Sequence, residues 1–144
     1  MIEEDTVRLL QECNAGIKMG VSSIDEVLPK VKNENMRNSL EDCRRKHGEL
    51  GDDTHALLNE YGDSGKRLNP MARTMSWMKT NVKLSLDEKD ETVADLITDG
   101  CNMGVKSLSR YLNEYKAADE RSKDIAKRLI GLEQKLADDM RGYL

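Results

Sequence analysis

Residues 36–61 read MRNSLEDCRRKHGELGDDTHALLNEY, and a regular helical period runs through them. The period advances alternately by four and three residues, along Met36, Leu40, Cys43, His47, Leu50, Thr54, Leu57 and Tyr61. This spacing is typical of a heptad seam, in which one stripe of an α-helix packs against other helices. The seam therefore predicts a long helix with His47 and Thr54 in its core line, ended by Gly62.

Three further segments carry an apolar stripe of the same kind. They span residues 2–31, from about 87–90 to 117, and 119–144. Asp5 or Thr6 is predicted to cap the first helix, and Pro29 to loosen its last turn. The predicted buried positions are Ile2, Leu9, Leu10, Cys13, Ile17, Val21, Ile24, Val27 or Leu28, and Val31, then Val93, Ile97, Cys101, Val105 (with Gly104), Leu108, Leu112 and Tyr115, and finally Ile125, Leu129, Leu132, Leu136, Met140 and Tyr143. Four amphipathic helices predict an all-α four-helix bundle.

The lengths of the connections predict how the helices are joined. Only a few residues link the first two helices and the last two, so each pair should form an antiparallel hairpin, 2–61 and 88–144. Residues 62–87 form a far longer connection, with a short helix expected from Asn69-Pro70 to about Leu86. A long crossover along the bundle is the ferritin-like arrangement. We therefore expect one ferritin-like domain over residues 1–144.

The chain also contains an internal repeat. Residues 13–18, CNAGIK, match residues 101–106, CNMGVK, and a weaker match links 51–53, GDD, to 137–139, ADD. The second alignment pairs His47 with Glu133. The glycines Gly16, Gly20 and Gly104 are expected to let helix backbones approach closely, because glycine has no Cβ. The repeat predicts two similar helical hairpins.

These features resemble a bacterial ferritin-like family of unknown function, over nearly the whole chain. The family's most specific pattern is Cys-x-x-Gly-Glu, once in the first helix and once in the third. Here Ile17 and Val105 replace the two glutamates. Ferritin-like di-metal sites take one Glu from each of two helices and Glu-x-x-His from each of the others, and this chain has no Glu-x-x-His. The resemblance therefore implies an eroded metal site without a cofactor, of which at most His47 and Glu133 remain.

The interpretation of His47 stays open between three roles. It is a core-edge histidine bonded to a neighbour or water, a remnant metal ligand, or the partner of Glu133 across the bundle. Cys43 and His47 also have the i, i+4 spacing of two zinc ligands, which Cys13 or Cys101 would have to complete. Because the first two helices are antiparallel, Cys13 and Cys43 are expected on opposite sides of the His47 layer, which disfavours this zinc site.

One stripe in the connection offers a candidate interface. Met71, Met75 and Met78, with Trp77 beside them, would lie on one side of the short helix. Such a stripe either covers the seam of the bundle or forms a dimer or partner surface, for which Met and Trp are well suited.

Composition limits the function further. The 144 residues carry a net charge of −4 with both signs mixed, which argues against a nucleic-acid surface. No membrane span or leader pattern is recognised, and three cysteines without CxxC predict free thiols in the cytoplasm. We expect a non-catalytic bundle that acts as a homodimer or through a protein partner. The alternatives are a di-iron or manganese protein in iron handling or oxidative stress, and a binder of small ligands between the Gly16 and Gly104 layers.

Overall fold

The computed structural model describes residues 2–62 and 89–144, and in these ranges it contains helices and no strand. The long helices are α1 at Ile2–Val27, α2 at Glu34–Glu60, α3 at Asp90–Glu114 and α4 at Glu120–Met140. Short 3-10 turns at Leu28–Lys30 and Arg141–Tyr143 follow α1 and α4. For residues 2–62 and 89–144, the prediction of an all-α fold with four long helices is confirmed. The predicted short helix after Asn69-Pro70 lies outside the described residues, as does the connection beyond Gly62.

Polar side chains explain where α2 and α4 begin. Asn33 accepts a hydrogen bond from the backbone N–H of Met36 at 3.0 Å, and Asp119 accepts one from that of Ser122 at 2.8 Å. Both residues are therefore N-caps, which satisfy backbone donors that have no partner inside the helix. They occupy corresponding places in the two hairpins, as the internal repeat predicts.

Asp5 and Thr6 hold the loop between α3 and α4. Asp5 Oδ2 accepts a hydrogen bond from the backbone N–H of Ala117 at 3.0 Å, and Thr6 Oγ1 accepts one from that of Asp119 at 2.8 Å. The prediction that one of them caps α1 is wrong, because α1 already begins at Ile2 and both lie inside it.

Asp90 holds the loop between α1 and α2 in the same way. Its two carboxylate oxygens accept hydrogen bonds from the backbone N–H groups of Lys32 and Asn33, each at 2.8 Å. At the other end of the bundle, the Tyr61 hydroxyl donates to Asp119 Oδ2 at 3.2 Å. Each hairpin loop is thus held by the first helix of the other hairpin. The end of α2 and the start of α3 lie at opposite ends of the bundle.

The helices pack as antiparallel neighbours around two apolar clusters. Helix α1 packs on α2 and α3, and α4 packs on the same two helices. Helices α1 and α4, which run parallel, also contact each other across the bundle. The Met36 cluster comprises Ile24, Val27, Val31, Met36, Leu40, Cys43, Val93, Ala94, Ile97, Cys101, Leu136 and Met140. The Leu9 cluster, towards the other end, comprises Leu9, Leu10, Cys13, Ile17, Leu50, Leu58, Leu108, Ala118, Ile125, Ala126 and Leu129. Burial of these side chains drives the association of the helices.

The observed seams depart from the predicted ones at particular turns. In α2, Leu58 is buried where Leu57 was expected, and Leu57 is half-buried. An α-helix has 3.6 residues per turn, so a strict seven-residue stripe drifts around it by about 20° per heptad. Over the length of α2 this drift moves the buried position by one residue.

Similar shifts occur in the other helices. Val105 is half-buried and Gly104 is buried instead, while in α4 the charged Glu133 is buried and Leu132 is half-buried. Ile2, expected in the core, is 65% exposed. The remaining predicted core positions that are only half-buried are Val21, Tyr61, Leu112, Tyr115 and Tyr143. None of the described helices has a stretch both long and apolar enough to cross a membrane.

Candidate functional site: a buried histidine and glutamate

His47 of α2 and Glu133 of α4 meet in the middle of the bundle. Nε2 of His47 lies 2.8 Å from Oε1 of Glu133, and the two residues are 0% and 8% exposed. They occupy equivalent positions in the internal repeat, on two antiparallel helices that pack against each other. Of the three roles that the sequence leaves open for His47, the structure places it in contact with Glu133.

Backbone geometry determines which nitrogen of His47 carries a proton. Nδ1 lies 2.8 Å from the carbonyl oxygen of Cys43, one turn earlier in α2, and 3.4 Å from its Sγ. A carbonyl oxygen only accepts hydrogen bonds, so Nδ1 must donate. Since Nε2 faces a carboxylate, a proton there satisfies the second contact. The imidazolium form therefore matches both partners.

Electrostatics favour the same protonation state. Burial alone lowers the pKa of His47, because it disfavours the charged ring. The hydrogen bonds with Cys43 and Glu133, together with the negative charge of Glu133, outweigh burial and raise the pKa of His47 to about 10. The pair is therefore a buried ion pair at neutral pH, and removing either partner leaves the other without compensation.

Two of the three thiols border this pair. Cys43 and Cys101 belong to the Met36 cluster, and the Cys101 thiol is hydrogen-bonded to the Glu133 carboxylate. Burial, followed by the charge of Glu133, raises the pKa of Cys101 well above its usual range. Cys13 lies in the Leu9 cluster, on the other side of the His47 layer, as expected. Burial and the charge of Glu12 raise its pKa to about 12.

Glycines let the helices close on the pair. A Cβ built on Gly20 would lie 2.8 Å from both Cδ2 and Nε2 of His47, which is closer than carbon atoms pack. A Cβ on Gly104 would lie 3.5 Å from Oε2 of Glu133, an ordinary contact. Of Gly20 and Gly104, only Gly20 must therefore be a glycine to leave room for the His47 ring.

A cavity of about 20 Å³ adjoins the pair. Its lining includes Gly20, Ser23, His47, Cys101 and Glu133. This volume is close to that needed for one water molecule. In the ranges 2–62 and 89–144, no group of three or more His, Cys, Asp or Glu side chains is arranged to hold a metal ion.

The two positions predicted to replace metal ligands lie in different surroundings. Ile17 is buried in the Leu9 cluster, where a Cβ on Gly51 would lie 3.3 Å from its Cγ2. Val105 is half-buried and belongs to neither cluster, because Gly104 takes the inward position on α3. The prediction that the Val105 side chain is buried in the core is therefore wrong. The candidate interface residues Met71, Met75, Trp77 and Met78 lie outside the described ranges.

A second polar region escaped the sequence analysis. Residues 9–17 of α1 are all buried, including Gln11, Glu12 and Asn14. Asn14 Oδ1 lies 2.8 Å from Nε2 of His55, and burial followed by Glu12 raises the pKa of Tyr111 to about 12. An amphipathic stripe predicts that only one face of a helix is buried. The stripe of α1 therefore did not indicate that residues 9–17 are buried on every face.

The outer surface between α2 and α4 forms an open groove, which we call the α2–α4 groove. One part has a volume of about 670 Å³ and is lined by Asp53, Ala56, Leu57, Glu120, Arg121, Asp124, Ile125, Lys127 and Arg128. The adjoining part has about 350 Å³ and is lined by Lys46, Glu49, Leu50, Arg128, Gly131 and Leu132. Unlike the central cavity, this groove is large enough to receive side chains from another molecule.

Comparisons with known proteins show a likeness in fold. No protein-family model and no curated protein sequence matches the chain. A solved structure, the "Crystal structure of DUF305 fragment from Deinococcus radiodurans", is similar with a TM-score of 0.74 and 14% sequence identity. The match covers 96% of this chain and 93% of that chain. The chain is therefore similar in its helical fold to a domain of unknown function.

Proposed function

We propose that this chain is a ferritin-like bundle with an eroded di-metal site, which acts without catalysis, by self-association or by binding a protein partner. In this proposal the connection after Gly62 is the ferritin-like crossover, and the protein works in the bacterial cytoplasm. Self-association takes the form of a homodimer. Met71, Met75, Trp77 and Met78 remain a predicted contact surface.

The observation that carries the proposal is the contrast in size between two spaces. The cavity beside the His47–Glu133 pair has about 20 Å³, whereas the two parts of the α2–α4 groove have about 670 and 350 Å³. The central cavity is far smaller than the roughly 300–1,000 Å³ of a small-molecule site. The groove reaches that volume, but it is open along the surface and charged side chains line it. An open groove with charged walls fits another protein surface better than a small substrate.

The ferritin-like part of the proposal is supported by the arrangement of the two hairpins. Each hairpin loop is tied to the first helix of the other hairpin, through Asp90 at one end and through Asp5 and Thr6 at the other. The end of α2 and the start of α3 lie at opposite ends of the bundle. These features support the proposal of two repeated hairpins joined by a crossover.

The second candidate is a metal-binding ferritin-like protein with a non-standard ligand set, in iron handling or oxidative stress. One observation favours it: His47 and Glu133, which occupy equivalent positions in the repeat, meet in the middle of the bundle with two thiols beside them. Imidazole, carboxylate and thiolate are all metal ligands in proteins. The ion pair argues against metal binding, because His47 and Glu133 already satisfy each other's charge and hydrogen bonding.

Two measurements on the purified protein test these proposals together. Sedimentation equilibrium over a wide range of concentrations should give the mass of two chains at the upper end. Elemental analysis after washing with a chelator should give less than one iron, manganese or zinc ion per chain. A mass of one chain at every concentration would contradict self-association, and a full equivalent of retained metal would support the second candidate.

A further inference from the structure

The charges around the α2–α4 groove are balanced. The part that encloses about 670 Å³ is lined by three acidic side chains, Asp53, Glu120 and Asp124, and by three basic ones, Arg121, Lys127 and Arg128. Of the basic ones, Arg121 is paired with Glu60 of the same chain. The floor between them is apolar, formed by Ala56, Leu57 and Ile125. A partner with one dominant charge, such as a nucleic acid or an acidic peptide, would gain as much repulsion as attraction here. A surface that carries the same number of acidic and basic side chains can place each charge opposite one of the other sign.

Arg128 is poorly satisfied within its own chain. Its Nη1 lies 3.7 Å from Oδ2 of Asp53 and 3.7 Å from Oδ2 of Asp124, both beyond hydrogen-bond distance. The three side chains are 53–64% exposed, so they are free to turn towards another molecule. A guanidinium has five donors and forms its strongest contacts with a carboxylate in a two-pronged geometry.

The spacing of these charges suits a two-fold axis. Asp124 and Arg128 lie one turn apart on α4, so two antiparallel copies of α4 that cross between them would bring Asp124 of each copy to Arg128 of the other. Such an interface is isologous, because the same patch serves on both subunits and every contact occurs twice. Each copy then offers the other's Arg128 a carboxylate at hydrogen-bond distance, which its own Asp53 and Asp124 do not provide.

A glycine beside Arg128 leaves room for this approach. Gly131 lines the adjoining part of the groove, and a Cβ built on it would meet nothing within 4 Å. Packing within the chain therefore does not require glycine at this position, although glycine destabilises a helix interior relative to alanine. Because this position has no side chain, a second surface can approach the α4 backbone closely here.

We propose that the α2–α4 groove is the self-association surface of this protein and that its occupant is a second copy of the same chain. The two copies are related by a two-fold axis near residues 124–128 of α4. This inference rests on the proposed homodimer and goes beyond it by naming the surface.

The experiment measures the dimer dissociation constant by sedimentation for the full chain and a set of variants. Arg128→Asp and Asp124→Arg should each raise the constant at least about tenfold, which corresponds to about 1.4 kcal/mol. The combined variant Asp124→Arg with Arg128→Asp should recover the parent's constant to within about threefold, because exchanging the charges restores every contact across a two-fold axis.

Two further variants form a matched pair. Gly131→Arg places a long side chain in the groove and should weaken the dimer at least about tenfold. Gly48→Arg places the same side chain at an exposed α2 glycine that does not line the groove, and should leave the constant unchanged. Circular dichroism checks that each variant keeps the parent's helix content.

The outcomes separate the two proposals. If the parent chain is a monomer at every concentration, the proposed self-association fails and this inference fails with it. If the parent dimerises and the groove variants do so equally well, self-association stands and the groove is the wrong surface. If both single charge variants weaken the dimer and the exchange does not restore it, the two-fold pairing of Asp124 with Arg128 is refuted.

Discussion

The two apolar clusters and the polar layer between them are both buried, but they respond to different variables. In the Leu9 cluster, stability comes from hydrocarbon removed from water, which has no preferred direction and changes little with pH. In the His47 layer it comes from two directed contacts at 2.8 Å, from Nε2 to Glu133 and from Nδ1 to the Cys43 carbonyl. The difference means that the stability of the middle of the bundle depends on the protonation of His47, whereas the stability of its ends does not.

The largest expected effect comes from removing one partner of the pair. Glu133→Ala should lower the free energy of unfolding at pH 7 by about 3–5 kcal/mol, because it leaves a buried cation without its carboxylate. Urea denaturation followed by circular dichroism measures the change. Leu129→Ala in the Leu9 cluster should cost about 2–5 kcal/mol through the cavity that it creates.

A double variant distinguishes these two mechanisms. His47→Leu combined with Glu133→Leu should regain most or all of the stability that Glu133→Ala loses, since replacing a whole buried ion pair by apolar side chains is often neutral. A double variant as unstable as Glu133→Ala would mean that the layer matters for its shape and not for its charges.

A change of pH should alter the free energy of unfolding less than Glu133→Ala does, because deprotonated His47 still fills its place in the core. The pKa of His47 is about 10 in the folded state and 6.5 ordinarily, so the folded protein keeps a proton that the unfolded chain loses. The pair's contribution is therefore complete below pH 6.5 and is lost as the pH rises towards 10. Urea denaturation at several pH values in this window should show this loss of stability in Leu129→Ala, which keeps the His47–Glu133 pair. The double leucine variant lacks the pair and should not show the loss.

The two glycines that touch the pair should behave differently from each other. Gly20→Ala should destabilise by about 1–3 kcal/mol, because the new Cβ overlaps the rigid His47 ring. Gly104→Ala meets Glu133 at an ordinary distance and should be neutral or stabilising by up to about 1 kcal/mol through helix propensity. Thermal unfolding of both variants tests this order. Equal losses would show that the layer does not close on Gly20.

The smallest effects are expected at the ends of the bundle. Asn33→Ala and Asp119→Ala each remove an N-cap and should cost about 0.5–2 kcal/mol. Asp119 should be the more sensitive position, because its carboxylate also accepts a hydrogen bond from Tyr61. Urea denaturation of the two variants side by side measures the difference. A larger loss for Asn33→Ala would contradict this account of the loops.

The sequence predicted more of the central layer than of its surroundings. The heptad stripe placed His47 in the core, and the internal repeat aligned it with Glu133, the residue that it contacts. Leu57, Leu132 and Val105 were each assigned to the core one residue away from the side chain or glycine that is buried. A stripe read from spacing alone is accurate to about one residue, because the helix drifts relative to a seven-residue repeat.

Sequence alone determined the four helices, their pairing into hairpins and the similarity of the two halves, since periodicity, breakers and loop lengths are properties of local chain segments. Only the tertiary structure decided that the pKa of His47 is raised, that Cys101 lies beside Glu133 while Cys13 does not, and that α1 is buried all round over residues 9–17. These features depend on atoms that different helices bring to within a few ångströms. Side chains far apart in the chain set one another's charge and burial only after the helices have packed.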